Sequence, residues 1–399
     1  MEHALLSISY IGAILLAGLL SSMISRKLQI PNLLLLILLG MGLSLIKVDG
    51  KILMQFPPVF LTSIAILTLA MVVFDSSSKF KFKKFDSISA QAMKLSLVFL
   101  LLNMVFLSGL VFYLLKPDSF FLALIFAAVV SGTDPSATLQ ILGSAKSKMF
   151  ELLKVEAILN TPLIVLIPFL IIDLMQGVSG FGFDIIASQA IPFAQQFVTG
   201  IGTGILIAII FFRFMKKHYS ATLSPLAMLT AALLTYVIAE TLGGNGVLAV
   251  TTAGIIFGNV YHVKHMKKLL EFGEEFALIL EIIVFVLIGS IISIPFTKAF
   301  LIPATVIFLV YLVIRLLSVE ISFPHEFAFK EKLYMSLNIP KGIAVAVVIF
   351  TLATQSIPGM GMILDLILLF MIYSIVLSTI ITHFTKFFTK IDIKIKKEQ

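Results

Sequence analysis

Thr133-Asp134-Pro135 places a carboxylate inside an apolar stretch running from about residue 120 to residue 142. An ionisable side chain at the centre of a bilayer costs roughly 3 kcal/mol on insertion scales, so Asp134 is expected to face a cavity or a partner instead of lipid. Pro135 has no N–H to donate and frees the carbonyl of Ser131 one turn earlier. A helix broken beside a carboxylate is the arrangement in which discontinuous membrane helices hold ions. Asp134 followed by Pro135 also fits the N-cap and first position of a half-helix, where orphan N–H groups and the helix dipole favour an anion, so a plain capping role stands beside the ion-binding one.

Further along the chain, Glu156 and Asn160 are four apart and share one helix face, Thr161 is adjacent, and Pro162 frees the carbonyl of Ile158. Thr133, Asn160, Thr161 and freed carbonyls are hard neutral oxygens, suited to a partly dehydrated monovalent cation. They serve equally well for hydrogen bonds between helices. Arg315 lies in an apolar run and stays charged, so it needs a buried anion or several carbonyls. Lys341 follows Ile339-Pro340 at a second interruption, where it either neutralises broken helix ends or pairs with Asp134. Asp75 precedes Ser76-Ser77-Ser78-Lys79 and is either part of an ion path or an ordinary interfacial residue.

Other patterns carry less. Gly200-x-Gly202-x-Gly204 lies in an apolar span without the strand of a nucleotide loop, which favours helix packing. His262 and His265 lack the further ligands of a zinc site, and no Walker A sequence supports direct ATP-driven pumping. No cofactor is expected. The absence of cysteine rules out disulfides and thiolate metal sites.

These groups must be positioned by membrane helices. Of 399 residues 59% are hydrophobic and 13% charged, and the mean hydropathy is +1.11. That leaves too little polar surface for a water-soluble globule of this size. Thirteen apolar segments of spanning length are predicted, near 3–24, 30–46, 57–75, 88–115, 119–142, 150–175, 185–212, 222–241, 246–262, 272–293, 298–321, 329–354 and 361–385. The first span has no basic leader or cleavage site before it and is expected to be retained. Odd-numbered connections and the C-terminal tail hold 21 Lys and Arg, against 4 in the even-numbered ones. The asymmetry predicts a cell-membrane protein with its N-terminus outside and its C-terminus in the cytoplasm. It also explains the net charge of +8 without a nucleic-acid partner.

The expected fold is therefore an all-α polytopic membrane protein. Matching spans 1–6 to spans 8–13 separates each pair by seven crossings, so the halves run in opposite senses as an inverted repeat. Under that pairing the break at Thr133-Asp134-Pro135 in span 5 corresponds to Ile339-Pro340-Lys341-Gly342 in span 12. Two discontinuous helices in equivalent positions point to a transport site near the midplane.

With these residues in place, the chain resembles the monovalent cation:proton antiporter superfamily, and most of all its sodium/proton exchanger branch. The resemblance rests on Ser131-Gly132-Thr133-Asp134-Pro135-Ser136-Ala137-Thr138-Leu139, on Glu156-Ala157-Ile158-Leu159-Asn160-Thr161, and on the run from Ala239-Glu240-Thr241 to Gly258-Asn259. It also includes Phe74-Asp75, Arg315 and Lys341-Gly342, with Lys where the family usually has Arg. It implies a cation/proton site built from Asp134, Asp75, Thr133, Asn160 and Thr161, and a structural charge network of Glu156, Arg315 and Lys341. One departure stands out. Where the family's Asn-Asp pair has its second acid this chain has Thr161, and Ala157 replaces a serine ligand.

The resemblance further implies a single transporter domain over 1–399. Its dimerising scaffold would cover about 1–75 and 222–293, its moving core about 88–175 and 298–385, and its linking helix about 185–212. The expected function is secondary antiport of a monovalent cation, Na⁺ before K⁺ or Li⁺, against H⁺ by alternating access in a lipid-embedded homodimer. The competing reading is a non-coupling cation channel or sensor on the same fold, prompted by the lost acid at Thr161. An aspartyl intramembrane protease using Asp75 and Asp134 is disfavoured, because neither follows Gly-x-Gly.

Overall fold

The computed structural model describes residues 2–28, 31–48, 51–52, 56–79, 87–134, 147–177, 183–217, 223–260, 266–292 and 294–388. Pro135 with the motif residues 136–139, His262, His265 and the basic tail after Phe388 lie outside the described residues.

Helices α1 (Glu2–Leu28) and α2 (Asn32–Leu45) precede a minimal antiparallel ladder of β1 (Lys47–Val48) and β2 (Lys51–Ile52). Apart from that ladder every described element is helical. Helix α3 (Pro58–Ser78) starts on a proline, whose missing N–H would have no partner there in any case. A single rod follows, α4 (Ser87–Leu102) and α5 (Ser108–Leu115), joined through a π turn at Asn103–Leu107. The chain continues as α6 (Phe120–Val130), α7 (Lys148–Gly177), α8 (Phe183–Lys217), α9 (Leu223–Thr241) and α10 (Gly246–Val260). It ends as α11 (Met266–Ile291), α12 (Lys298–Ser322), α13 (Phe329–Leu337), α14 (Ile343–Ala353), α15 (Met360–His383) and α16 (Thr385–Phe388).

Among the described residues, eight helices are long and apolar enough to cross a membrane, and α2, α6, α10 and α14 are shorter apolar helices. Outward-facing Leu101, Phe106, Leu206, Ile210, Leu309 and Val313 are exposed. Lipid solvates such a surface as water cannot, so it is ordinary for a membrane protein. Helices α6 and α14 have 11 residues each. At 1.5 Å per residue each covers about 16 Å, half the hydrocarbon core, so both end near its middle.

Small residues set the closest helix crossings. A Cβ added at Gly40 of α2 would lie 2.1 Å from the Val286 carbonyl oxygen of α11, and one at Gly289 would lie 2.3 Å from that of Ile37. Between α3 and α10, a Cβ at Gly258 would sit 2.1 Å from the Ser78 carbonyl oxygen. Without a hydrophobic drive between helices in lipid, such backbone contact supplies much of the packing.

Candidate functional site

Helix α6 stops at Val130, and its exit is held by polar contacts from a neighbour. The Ser131 hydroxyl donates to the Ala127 carbonyl at 2.7 Å and accepts from Asn103 Nδ2 at 2.9 Å. Asn103 opens the π turn of the rod beside it, where the extra residue per turn redirects side chains. Four residues on from Val130, the Asp134 N–H donates to the Pro340 carbonyl at 2.9 Å, so the two chain breaks are bonded to each other. A Cβ at Gly342 would fall 1.8 Å from Asp134 Oδ2. Only glycine fits there.

Lys341 is fully buried in this crossing. Its ammonium donates to the Gly132 carbonyl at 2.6 Å, and also to the Val130 carbonyl and the Tyr311 hydroxyl. An ammonium has three donors, so these acceptors use all of them. Of the two expectations for Lys341, the geometry is that of neutralising a broken helix end, where unpaired carbonyls and the negative dipole end attract a cation. Glu156 of α7 and Arg315 of α12 form a fork-to-fork pair, Nη1 to Oε1 at 2.6 Å and Nη2 to Oε2 at 2.8 Å. Both side chains are cut off from solvent, and the guanidinium lies over the Phe99 ring at 4.8 Å. A bidentate pair leaves neither charge open for an ion.

A small, partly open cavity lies against the crossing, lined by Asp75, Thr133, Asp134 and Thr161 together with Ala277 and Gly342. Asn160 is buried behind it, donating through Nδ2 to Thr133 Oγ1 at 2.8 Å, while its Oδ1 has no hydrogen-bond partner. The Thr161 hydroxyl donates to the Ala157 carbonyl at 2.7 Å, so its lone pairs stay available. Asp75 accepts from Lys79 Nζ at 2.7 Å one turn along α3. The five residues singled out for ion binding thus meet at one place, whereas Glu156, Arg315 and Lys341 do not line the cavity. Among the described residues no three or more His, Asp or Glu side chains are grouped to hold a metal ion.

Three residues of this region went unmarked in the sequence. Tyr311 and Asn103 are polar groups within apolar runs, and only the packing shows that they serve Lys341 and Ser131. Glu281 of α11 lies one helix turn beyond Ala277, which lines the cavity. Its signal was present, an acid amid Ala277-Leu278-Ile279-Leu280 and Ile282-Ile283-Val284.

The profile of the family described as "Sodium/hydrogen exchanger, transmembrane" matches residues 11–387. Among similar proteins, probable Na⁺/H⁺ antiporter 2 of Methanocaldococcus jannaschii is 25% identical over 367 residues, covering 86% of this chain and 84% of its own. The K⁺/H⁺ antiporter NhaP of Alkalimonas amylolytica is 24% identical, covering 84% of this chain and 58% of its own. In fold the chain is similar to the solved sodium proton antiporter MjNhaP1 of M. jannaschii at pH 8, with a TM-score of 0.77 and 20% identity over 99% of this chain and 100% of that one.

Proposed function

The chain belongs to the sodium/hydrogen exchanger family of multi-pass membrane transporters, and from that premise we propose that it exchanges Na⁺ for H⁺ at Asp134 by alternating access. The observation that carries the proposal is a cavity, bordered by both chain breaks, that Thr133, Asp134, Thr161 and Asp75 share. A carboxylate there holds either a cation or a proton, and mutual exclusion at one position couples the two fluxes. Thr133, Thr161 and the orphaned Asn160 oxygen supply neutral ligands. Similar proteins are named as Na⁺/H⁺ and K⁺/H⁺ antiporters, which supports a monovalent cation and puts Na⁺ first.

The moving body in this proposal is the core of about 88–175 and 298–385, tied together by Glu156–Arg315 and by Lys341. It moves against a scaffold of about 1–75 and 222–293, whose glycine-lined crossings suit a rigid frame, with the helix of about 185–212 as the link. Dimerisation through that scaffold, an external N-terminus and a cytoplasmic C-terminus complete the proposal.

Purified protein in liposomes tests it. An imposed Na⁺ gradient should drive opposing proton movement, and Asp134→Asn should abolish that movement while the protein still inserts. Cation flux without proton movement in the wild type would favour the channel reading that Thr161 prompts. Full coupling in Asp134→Asn would remove Asp134 from the site.

A further inference from the structure

Glu281 sits well inside α11, with apolar residues on both sides of it along the chain. A carboxylate within an apolar run of a membrane protein's helix calls for the same kind of explanation as Asp134. Residues 273, 277 and 281 are spaced four apart and form one stripe of the helix. The first two positions of the stripe face the site. A Cβ added at Gly273 would come within 3.5 Å of Asp75 Oδ1, Ala277 lines the cavity, and Glu281 lies one helix turn beyond Ala277, its side chain leaning back along the helix toward it.

The nearby fixed cations do not serve Glu281. Arg315 is occupied by Glu156, and Lys341 by two carbonyls and a hydroxyl. Glu281 makes no hydrogen bond or ion pair with any described residue. Of the helices packed on α11, α2 and α14 carry no titratable residue at all. Helix α1 carries none within a turn of Gly18, which meets Ile282. Asp75 of α3 is engaged by Lys79, and Tyr236 and Glu240 of α9 lie against Gly246. Two carboxylates drawn to one low-dielectric site repel strongly unless a shared cation or proton neutralises one of them. A separate sign of a missing ligand is Asn160 Oδ1, an acceptor on a side chain only 3% exposed and without a donor. A buried acceptor left bare is costly, and a bound cation would satisfy it.

We infer that Glu281 is a second acidic ligand of the transported monovalent cation, contributed by α11 in place of the acid that position 161 lacks. The inference rests on the antiport reading. Its geometry differs from that of an acid at 161, because the two carboxylates come from the two bodies that move against each other and not both from the core.

The test is Na⁺-driven proton movement by the full chain in liposomes, read as the half-saturating Na⁺ concentration. Glu281→Gln should raise that concentration about tenfold or more, a loss of the order expected for one desolvated charge on a cation, and Glu281→Asp should keep it within about threefold. Moving the acid back in Glu281→Gln/Thr161→Asp should return the value toward wild type. Glu281→Gln within about threefold of wild type, beside an inactive Asp134→Asn, would overturn the inference and leave the antiport reading standing. Failure of both Glu281→Asp and the double variant to retain exchange would make Glu281 structural and also overturn it. A wild type without Na⁺-driven proton movement would bring down the antiport reading and the inference with it.

Discussion

Glu156 and Arg315 illustrate how much a buried charge depends on its partner. With two bonds at 2.6 and 2.8 Å and no access to water, each neutralises a group that would otherwise be stranded. Removing one partner, as Glu156→Gln or Arg315→Met, is expected to destabilise the protein by about 3–5 kcal/mol. Changing both should cost less than the sum, because the double variant strands nothing. Thermal unfolding of the purified variants in detergent measures the cycle, and additive losses would show the two residues to be independent. The need for such a partner was readable from the lone arginine in an apolar run, and Asp134 was marked by its proline and threonine neighbours. Glu281 is likewise an acid in an apolar run but has no local punctuation, and only the packing of α11, with Ala277 at the cavity, places it one turn from the site.

Among the elements, the two breaks matter most, and each is made by a different means. Pro340 and Gly342 announce the second one in the sequence, since one lacks an N–H and the other lacks a Cβ. In the first, helix α6 has already ended at Val130, five residues before Pro135, where Ser131 is held from the π turn and Lys341 takes the last carbonyls. The π turn itself has no sequence signature, because Asn103 reads as one polar residue in an apolar run. Gly342→Ala should be severe for a small change. Its methyl would occupy the place of the Asp134 carboxylate, so we expect exchange to be lost together with about 1–3 kcal/mol of stability. Liposome flux and thermal unfolding of that variant read both effects, and normal flux would mean that the breaks do not need their close approach.

At the scale of the whole molecule, apolar segment lengths and basic loops made the helical membrane architecture legible, whereas which helix faces which depended on glycine contacts that hydropathy does not encode. Orientation is open to a direct test because the chain has no cysteine of its own. A thiol introduced as Phe296→Cys, between α11 and α12, should react with an impermeant maleimide added to whole cells. One introduced as His325→Cys, between α12 and α13, should react only after permeabilisation; the reverse result would invert the topology. Thr161 has a further, electrical consequence. With a neutral hydroxyl at that position, Asp134 is the acid that the breaks themselves carry, and in the proposed exchange the core would have the same charge whether Na⁺ or H⁺ occupied it. A membrane voltage does work of roughly 2.3 kcal/mol per elementary charge per 100 mV, but only on net charge carried across in a full cycle. Equal charge moved each way cancels, so the Na⁺ gradient at which proton movement stops should be the same at zero voltage and at an imposed potential of about 100 mV. A shift of that balance point with voltage would mean that more than one ion travels on one of the strokes.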